Sequence, residues 1–194
     1  MAPSALLYLG TTDGLLIYSA TDAGAVPVGK ALGGHAVTTV LAVDAATLLV
    51  AADGLPPQQS FDGGATWGAA PGAAVEPIGL RAATAHGPAE LRNPRLMGAT
   101  AYARLAGRPA ALLGAGAGGA LLFRSLDDGI HWEPAAAPHG VGRITALAPG
   151  PGATAWAGTD AGLILRSDDR GASWREAARA GAGIVCMAAT AADG

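Results

Sequence analysis

The residues of this chain best placed to do chemistry are carboxylates that recur in one fixed frame. Asp62, Asp127 and Asp169 lie in Ser60-Phe-Asp62-Gly-Gly64-Ala-Thr66-Trp67, Ser125-Leu-Asp127-Asp-Gly129-Ile-His131-Trp132 and Ser167-Asp-Asp169-Arg-Gly171-Ala-Ser173-Trp174. The shared pattern is S-x-D-x-G-x-[T/S/H]-W. A carboxylate can act as a general acid or base, or ligate a metal. One carboxylate per turn, however, is too few for a calcium cage of roughly six to eight oxygens. A local role fits better: the Asp accepts backbone N–H bonds from the residues after it. The Gly two positions on supplies the positive φ of a tight hairpin. The Trp then starts the next strand and buries its ring between neighbouring units. Ser60, Asp62, Gly64, Trp67, Ser125, Asp127, Gly129, Trp132, Ser167, Asp169, Gly171 and Trp174 are therefore assigned as structural.

The candidate ligand-binding residues lie elsewhere. Residues 70–98 form the most polar stretch and read as an inserted loop, carrying Arg81, His86, Glu90, Arg92, Asn93 and Arg95. Long loops on a rigid scaffold are where binding residues concentrate. The short turns add Asp13, Asp53 and Asp160, each of which also suits an ordinary turn.

Other chemistries fail on context. Gly114-Ala-Gly116-Ala-Gly-Gly119 matches G-x-G-x-x-G, but a strand follows it, so no helix N-terminus exists to hold a pyrophosphate. His35, His86, His131 and His139 have no ligand-like spacing. No serine sits in a G-x-S-x-G elbow, and Cys186 in Ile-Val-Cys-Met reads as a strand residue. No catalytic residue, metal or cofactor is expected.

The elements that position these residues emerge from the repeat. The serines at 19, 60, 125 and 167 are separated by 41, 65 and 42 residues, the first belonging to a decayed copy, Ser19-Ala-Thr-Asp22-Ala-Gly24. A unit of about 42 residues with one insertion of about 23 fits these intervals, and a propeller blade takes roughly 40–50. Leu7-Tyr-Leu-Gly-Thr-Thr-Asp-Gly-Leu-Leu-Ile-Tyr-Ser19 matches Trp156-Ala-Gly-Thr-Asp-Ala-Gly-Leu-Ile-Leu-Arg-Ser167. Each gives an apolar strand, a turn, and a second strand running into the motif, so a unit holds four short strands. The units are 1–34 with 183–194, then 35–70, 71–140 and 141–182. Unit one lacks a first strand of its own, and Gly183-Ile-Val-Cys-Met is predicted to supply it.

Composition sets the remaining bounds. With 194 residues, 51% hydrophobic and 14% charged, the chain can bury a core and is not disordered. Eleven arginines, one lysine and a net charge of −3 give no footprint for nucleic acid. The charge-free run between Arg108 and Arg124 is short and broken by glycines, so no membrane span is expected. A lone cysteine forms no internal disulfide, and the first residues lack the basic region of a signal peptide, so a cytoplasmic location is expected.

The three segments resemble Asp-box (BNR) repeats, found in sialidase-type β-propellers, the sortilin family and Ycf48-like assembly factors. The resemblance covers most of the chain and implies an all-β propeller of four-stranded antiparallel blades; the strand order gives about four of them, closed by strand sharing between the termini, the competing reading being a fragment of a larger propeller. It also implies boxes on the face opposite the ligand site. The expected function is a non-catalytic scaffold binding a protein, peptide or glycan on the loop face. The alternatives are a sialidase-like glycoside hydrolase, or a fragment of one, and a Ycf48-like assembly factor. A sialidase uses arginines from different blades and a tyrosine nucleophile with a glutamate partner. Here Arg81, Arg92 and Arg95 share one segment, the F/Y-R-I-P motif is missing, and Tyr102 is the only tyrosine outside unit one. If the ring is incomplete, self-association follows.

Overall fold

The computed structural model describes residues 5–70, 99–116 and 121–192. They form sixteen strands in four antiparallel sheets of four. Blade one holds β1 (Ala5–Thr11), β2 (Gly14–Thr21) and β3 (Gly24–Ala31). Blade two holds β4 (Val37–Ala42), β5 (Leu48–Ala52), β6 (Gln58–Ser60) and β7 (Gly68–Ala69). Blade three holds β8 (Ala101–Leu105), β9 (Ala111–Ala115), β10 (Leu122–Ser125) and β11 (Glu133–Pro134). Blade four holds β12 (Ile144–Pro149), β13 (Ala155–Thr159), β14 (Leu163–Ser167) and β15 (Arg175–Arg179). The fourth strand of blade one is β16 (Ile184–Ala191), which pairs with β1 from Ala5↔Ala191 to Thr11↔Ile184. The fold is an all-β propeller of four blades, and blade one is completed by the two ends of the described chain.

Alternation along each strand makes this architecture. In β13, Ala155 and Ala157 face blade three while Trp156 faces blade one, and all three are buried. A sheet buried on both faces reads as a near-continuous apolar run, as Leu-Tyr-Leu and Trp-Ala-Gly do. Three apolar cores result, one between blades three and four, one between four and one, and one between one and two. The innermost strands β8, β12, β16 and β4 pack on one another in that order. Among the described residues, no core joins blade two to blade three.

Ser19 to Gly24 lies at the hairpin between β2 and β3, the third and fourth strands of blade one counted from β16, which is the place of the boxes in the other blades, with Thr21 paired to Gly24 across a two-residue turn. Its Asp22 takes a different partner, the guanidinium of Arg166 at 2.9 Å. The box tryptophans also differ from one another. Trp174 is buried in the core between blades three and four, whereas Trp67 and Trp132 are half-buried.

Candidate functional site

The three S-x-D-x-G-x-x-W segments share one hydrogen-bond network. Ser60 Oγ donates to Asp62 Oδ1 at 2.8 Å and accepts from Gly64 N–H at 2.8 Å. Thr66 donates its N–H to Asp62 Oδ1 at 2.9 Å and its hydroxyl to Oδ2 at 2.6 Å. Trp67 Nε1 donates to Gly64 O at 2.9 Å. The same bonds recur around Asp169 with Ser173 and Trp174, and around Asp127 with His131 N–H and Trp132. There the His131 ring, Nδ1 at 2.6 Å from Asp127 Oδ2, stands where the other two copies place a hydroxyl. Gly64, Gly129 and Gly171 have φ of 94°, 88° and 85°, a left-handed conformation that disfavours side chains.

A carboxylate that accepts several N–H and O–H bonds is stabilised as the anion. The Thr66 hydroxyl and N–H, with Ser60, hold the Asp62 carboxyl down at about 2. The His131 N–H and ring do the same for Asp127, also to about 2. Burial pushes Asp169 up, but its bonds to Ser173 and Ser167 outweigh that and hold it low. A carboxylate so held is a poor general acid near neutral pH, and its lone pairs are already engaged.

The opposite end of the blades is where chain enters each inner strand. An open cavity of about 530 Å³ is lined by residues of blades one, three and four, among them Thr12, Thr100, Arg143, Thr145, Asp160 and Val185. The exposed Arg143 guanidinium has no side-chain partner among the described residues. Asp160 accepts the Arg143 N–H at 3.0 Å, which ties the turn of blade four to its entry loop. Asp13 of blade one instead reaches the loop that leads into blade two, accepting from Lys30 at 3.0 Å and from Gly34 N–H at 3.1 Å, and those bonds hold its carboxyl low. Asp53 uses its backbone instead, receiving the His35 ring at its carbonyl. Of the turn carboxylates only Asp160 lines the cavity. Arg81, His86, Glu90, Arg92, Asn93 and Arg95 lie outside the described residues. Among the described residues no group of three or more His, Cys, Asp or Glu could hold a metal, and no helix is long and apolar enough to cross a membrane.

Sequence reasoning missed two sets of residues. Thr100, Arg143, Thr145 and Val185 line the cavity; Thr145 and Val185 stand at β-bulges in β12 and β16, and bulges re-aim side chains. Nothing in the sequence marks a bulge there. Arg166 is nearly buried at 5% exposure, with its guanidinium over the Trp156 ring at 5.4 Å. It bonds Asp168 at 2.6 Å, Thr21 O at 2.5 Å and Asp22. Its signal was legible, since Arg124 and Arg166 both immediately precede a box serine.

No family model matches the chain, and no curated protein matches it. Among solved structures, the chain is weakly similar to Ycf48 bound to D1 peptide, at 14% identity and a TM-score of 0.31 over 91% of this chain and 44% of that one. It is similarly close to the GH74 enzyme of Niastella koreensis, at 16% identity and a TM-score of 0.31 over 90% of this chain and 24% of that one. A third likeness is to Ycf48 from Cyanidioschyzon merolae, at 12% identity and a TM-score of 0.29 over 96% of this chain and 60% of that one. The chain thus spans less than two thirds of each of these proteins.

Proposed function

We propose that this chain is a non-catalytic propeller of the Asp-box (BNR) kind, a rigid scaffold that binds a protein, peptide or glycan on the face where chain enters the inner strands. The observation that carries the reading is the cavity of about 530 Å³ with the exposed Arg143 on its wall. A guanidinium without a side-chain partner suits a carboxylate or other anionic group on the ligand. The strand-entry backbone around Gly183 to Val185 suits main-chain contacts. The box carboxylates, by contrast, have their oxygens engaged within their own turns.

The test is a peptide array and a glycan array probed with the full chain, followed by titration of the best hit against Arg143→Ala. Binding that weakens about tenfold or more, the loss of one charged hydrogen bond, supports the reading. Hits indifferent to Arg143 would move the site elsewhere. Turnover of a fluorogenic sialoside, lost in Tyr102→Phe, would replace the scaffold by a hydrolase.

A further inference from the structure

The three closed seams between blades are built from the same parts, in the same direction. Near the cavity, the Thr100 hydroxyl of blade three donates to Ile144 O of blade four at 2.6 Å, and Thr145 of blade four donates to Ile184 O of blade one at 2.5 Å. At the next seam a valine occupies position 185, and the Cys186 thiol of blade one reaches Val37 O of blade two at 3.7 Å. Near the boxes, Arg124 of blade three donates to Asp169 O of blade four at 3.3 Å, and Arg166 of blade four to Thr21 O of blade one. At two of the three seams a box tryptophan packs back from the following blade, Trp174 into the core between three and four, Trp67 onto that between one and two.

The remaining seam holds both halves of this set, unjoined among the described residues. Blade two ends the series with the donor half. Thr38 is exposed, and its hydroxyl keeps the own-blade bond, to Ala51 O at 3.3 Å, that Thr145 also makes to Gly158 O at 3.2 Å, without a bond across the seam among the described residues. Gln59 stands where blades three and four carry Arg124 and Arg166. Leu41, Leu49 and Ala51, cross-strand neighbours on that face, are only half-buried and belong to no core. Blade three begins the series with the acceptor half. Ala99 O, the counterpart of Ile144 O and Ile184 O, receives no such hydroxyl among the described residues. Trp132, the third box tryptophan, is half-buried and outside all three cores.

We propose that a second copy of this chain fills the seam, blade two of each copy packing on blade three of the other to close a ring of eight blades. The contact is directional, so a donor end needs an acceptor end. A partner presenting the Ala99 carbonyl and the Trp132 ring in the order the three closed seams require is the chain itself. A twofold pairing makes two such seams at once and leaves no end free. Eight blades lie within the roughly four to eight that propellers span.

The test is sedimentation velocity of the full chain over a wide concentration range, joined to a cysteine pair, Thr38→Cys with Ala99→Cys, oxidised and resolved without reductant. The expected results are a two-copy species and a covalent dimer that neither single variant forms. Leu49→Glu, whose circular dichroism should match the parent chain, is expected to weaken the association at least tenfold. A monomer at every concentration, a disulfide within one chain, or open-ended oligomers that grow with concentration would each overturn the proposal. If the paired variant does not fold, sedimentation of the parent chain and of Leu49→Glu decides alone.

Discussion

The seam between blades four and one and the seam between blades two and three make opposite use of the same repeat. The first packs blade four on a blade that both ends of the described chain complete, and it is as fully built as the seam between three and four. It has a core around Trp156, Ile164 and Ile184, the Thr145 latch, and Arg166 bonded across it to Thr21 and Asp22. The second joins blades that are consecutive in sequence and has no core among the described residues. Sequence adjacency therefore does not decide which blades cohere; the match of seam parts does.

The largest expected effect comes from taking away the strand that makes the first seam. Removing residues 183–194 strips β16 from β1 and exposes the ladder groups and apolar faces of both blades one and four, the situation that drives edge aggregation. Loss of the cooperative thermal transition, with aggregation on light scattering, is expected; an unchanged Tm would show that β16 is dispensable. Next in size is Trp156→Ala. Its ring is 1% exposed, so denaturant unfolding should register about 3–5 kcal/mol of destabilisation. The matching change on the other seam, Trp132→Ala, should cost only about 1 kcal/mol in dilute protein, since that ring is half-buried. Equal costs would erase the contrast.

A finer probe adds one methyl group. A Cβ at Gly158 would lie 2.6 Å from Ile184 Cγ2, so Gly158→Ala should cost about 1–3 kcal/mol by overpacking. Ala51 lies at the corresponding place on blade two and is half-buried, so Ala51→Val should change Tm little in dilute protein. The smallest effect is shared by all blades that carry a box. Asp62 and Asp127 are held at about 2 in the folded chain, below the roughly 3.9 of a free Asp. Their stabilisation is present above about pH 4 and is lost as pH falls through about 2. Acid titration of Asp127→Asn should show a shallower fall over that window than the parent chain, and identical curves would deny the box carboxylate a part in stability.

Much of the fold was legible because propeller blades repeat their turn chemistry. The Ser, Asp, Gly and Trp of each box announced a hairpin, and the apolar runs before it announced two strands. The want of a first strand in unit one pointed to residues 183–190, and the structure pairs Ile184–Ala191 there. What the sequence hid follows from physics that leaves no local mark. The bulges at Thr145 and Val185 depend on how a neighbouring inner strand packs, and Arg143 became prominent only once three blades met around it. The decayed copy at Ser19 keeps the box's place between the third and fourth strands, with Thr21 paired to Gly24 across a two-residue turn. The carboxylates at 13 and 160 read singly as turn-formers more readily than as ligands, and the bonds from Gly34 and Arg143 N–H show them tying turns to the loops that lead into inner strands.

Amide hydrogen exchange tests the central claim most directly, since exchange reports the local opening of each ladder. The account expects residues 184–191 to be protected to the same degree as 144–149 and 155–159, because all three lie in paired inner or second strands of one closed seam. Exchange of 184–191 at the rate of an unpaired tail, while 144–149 stays protected, would contradict it.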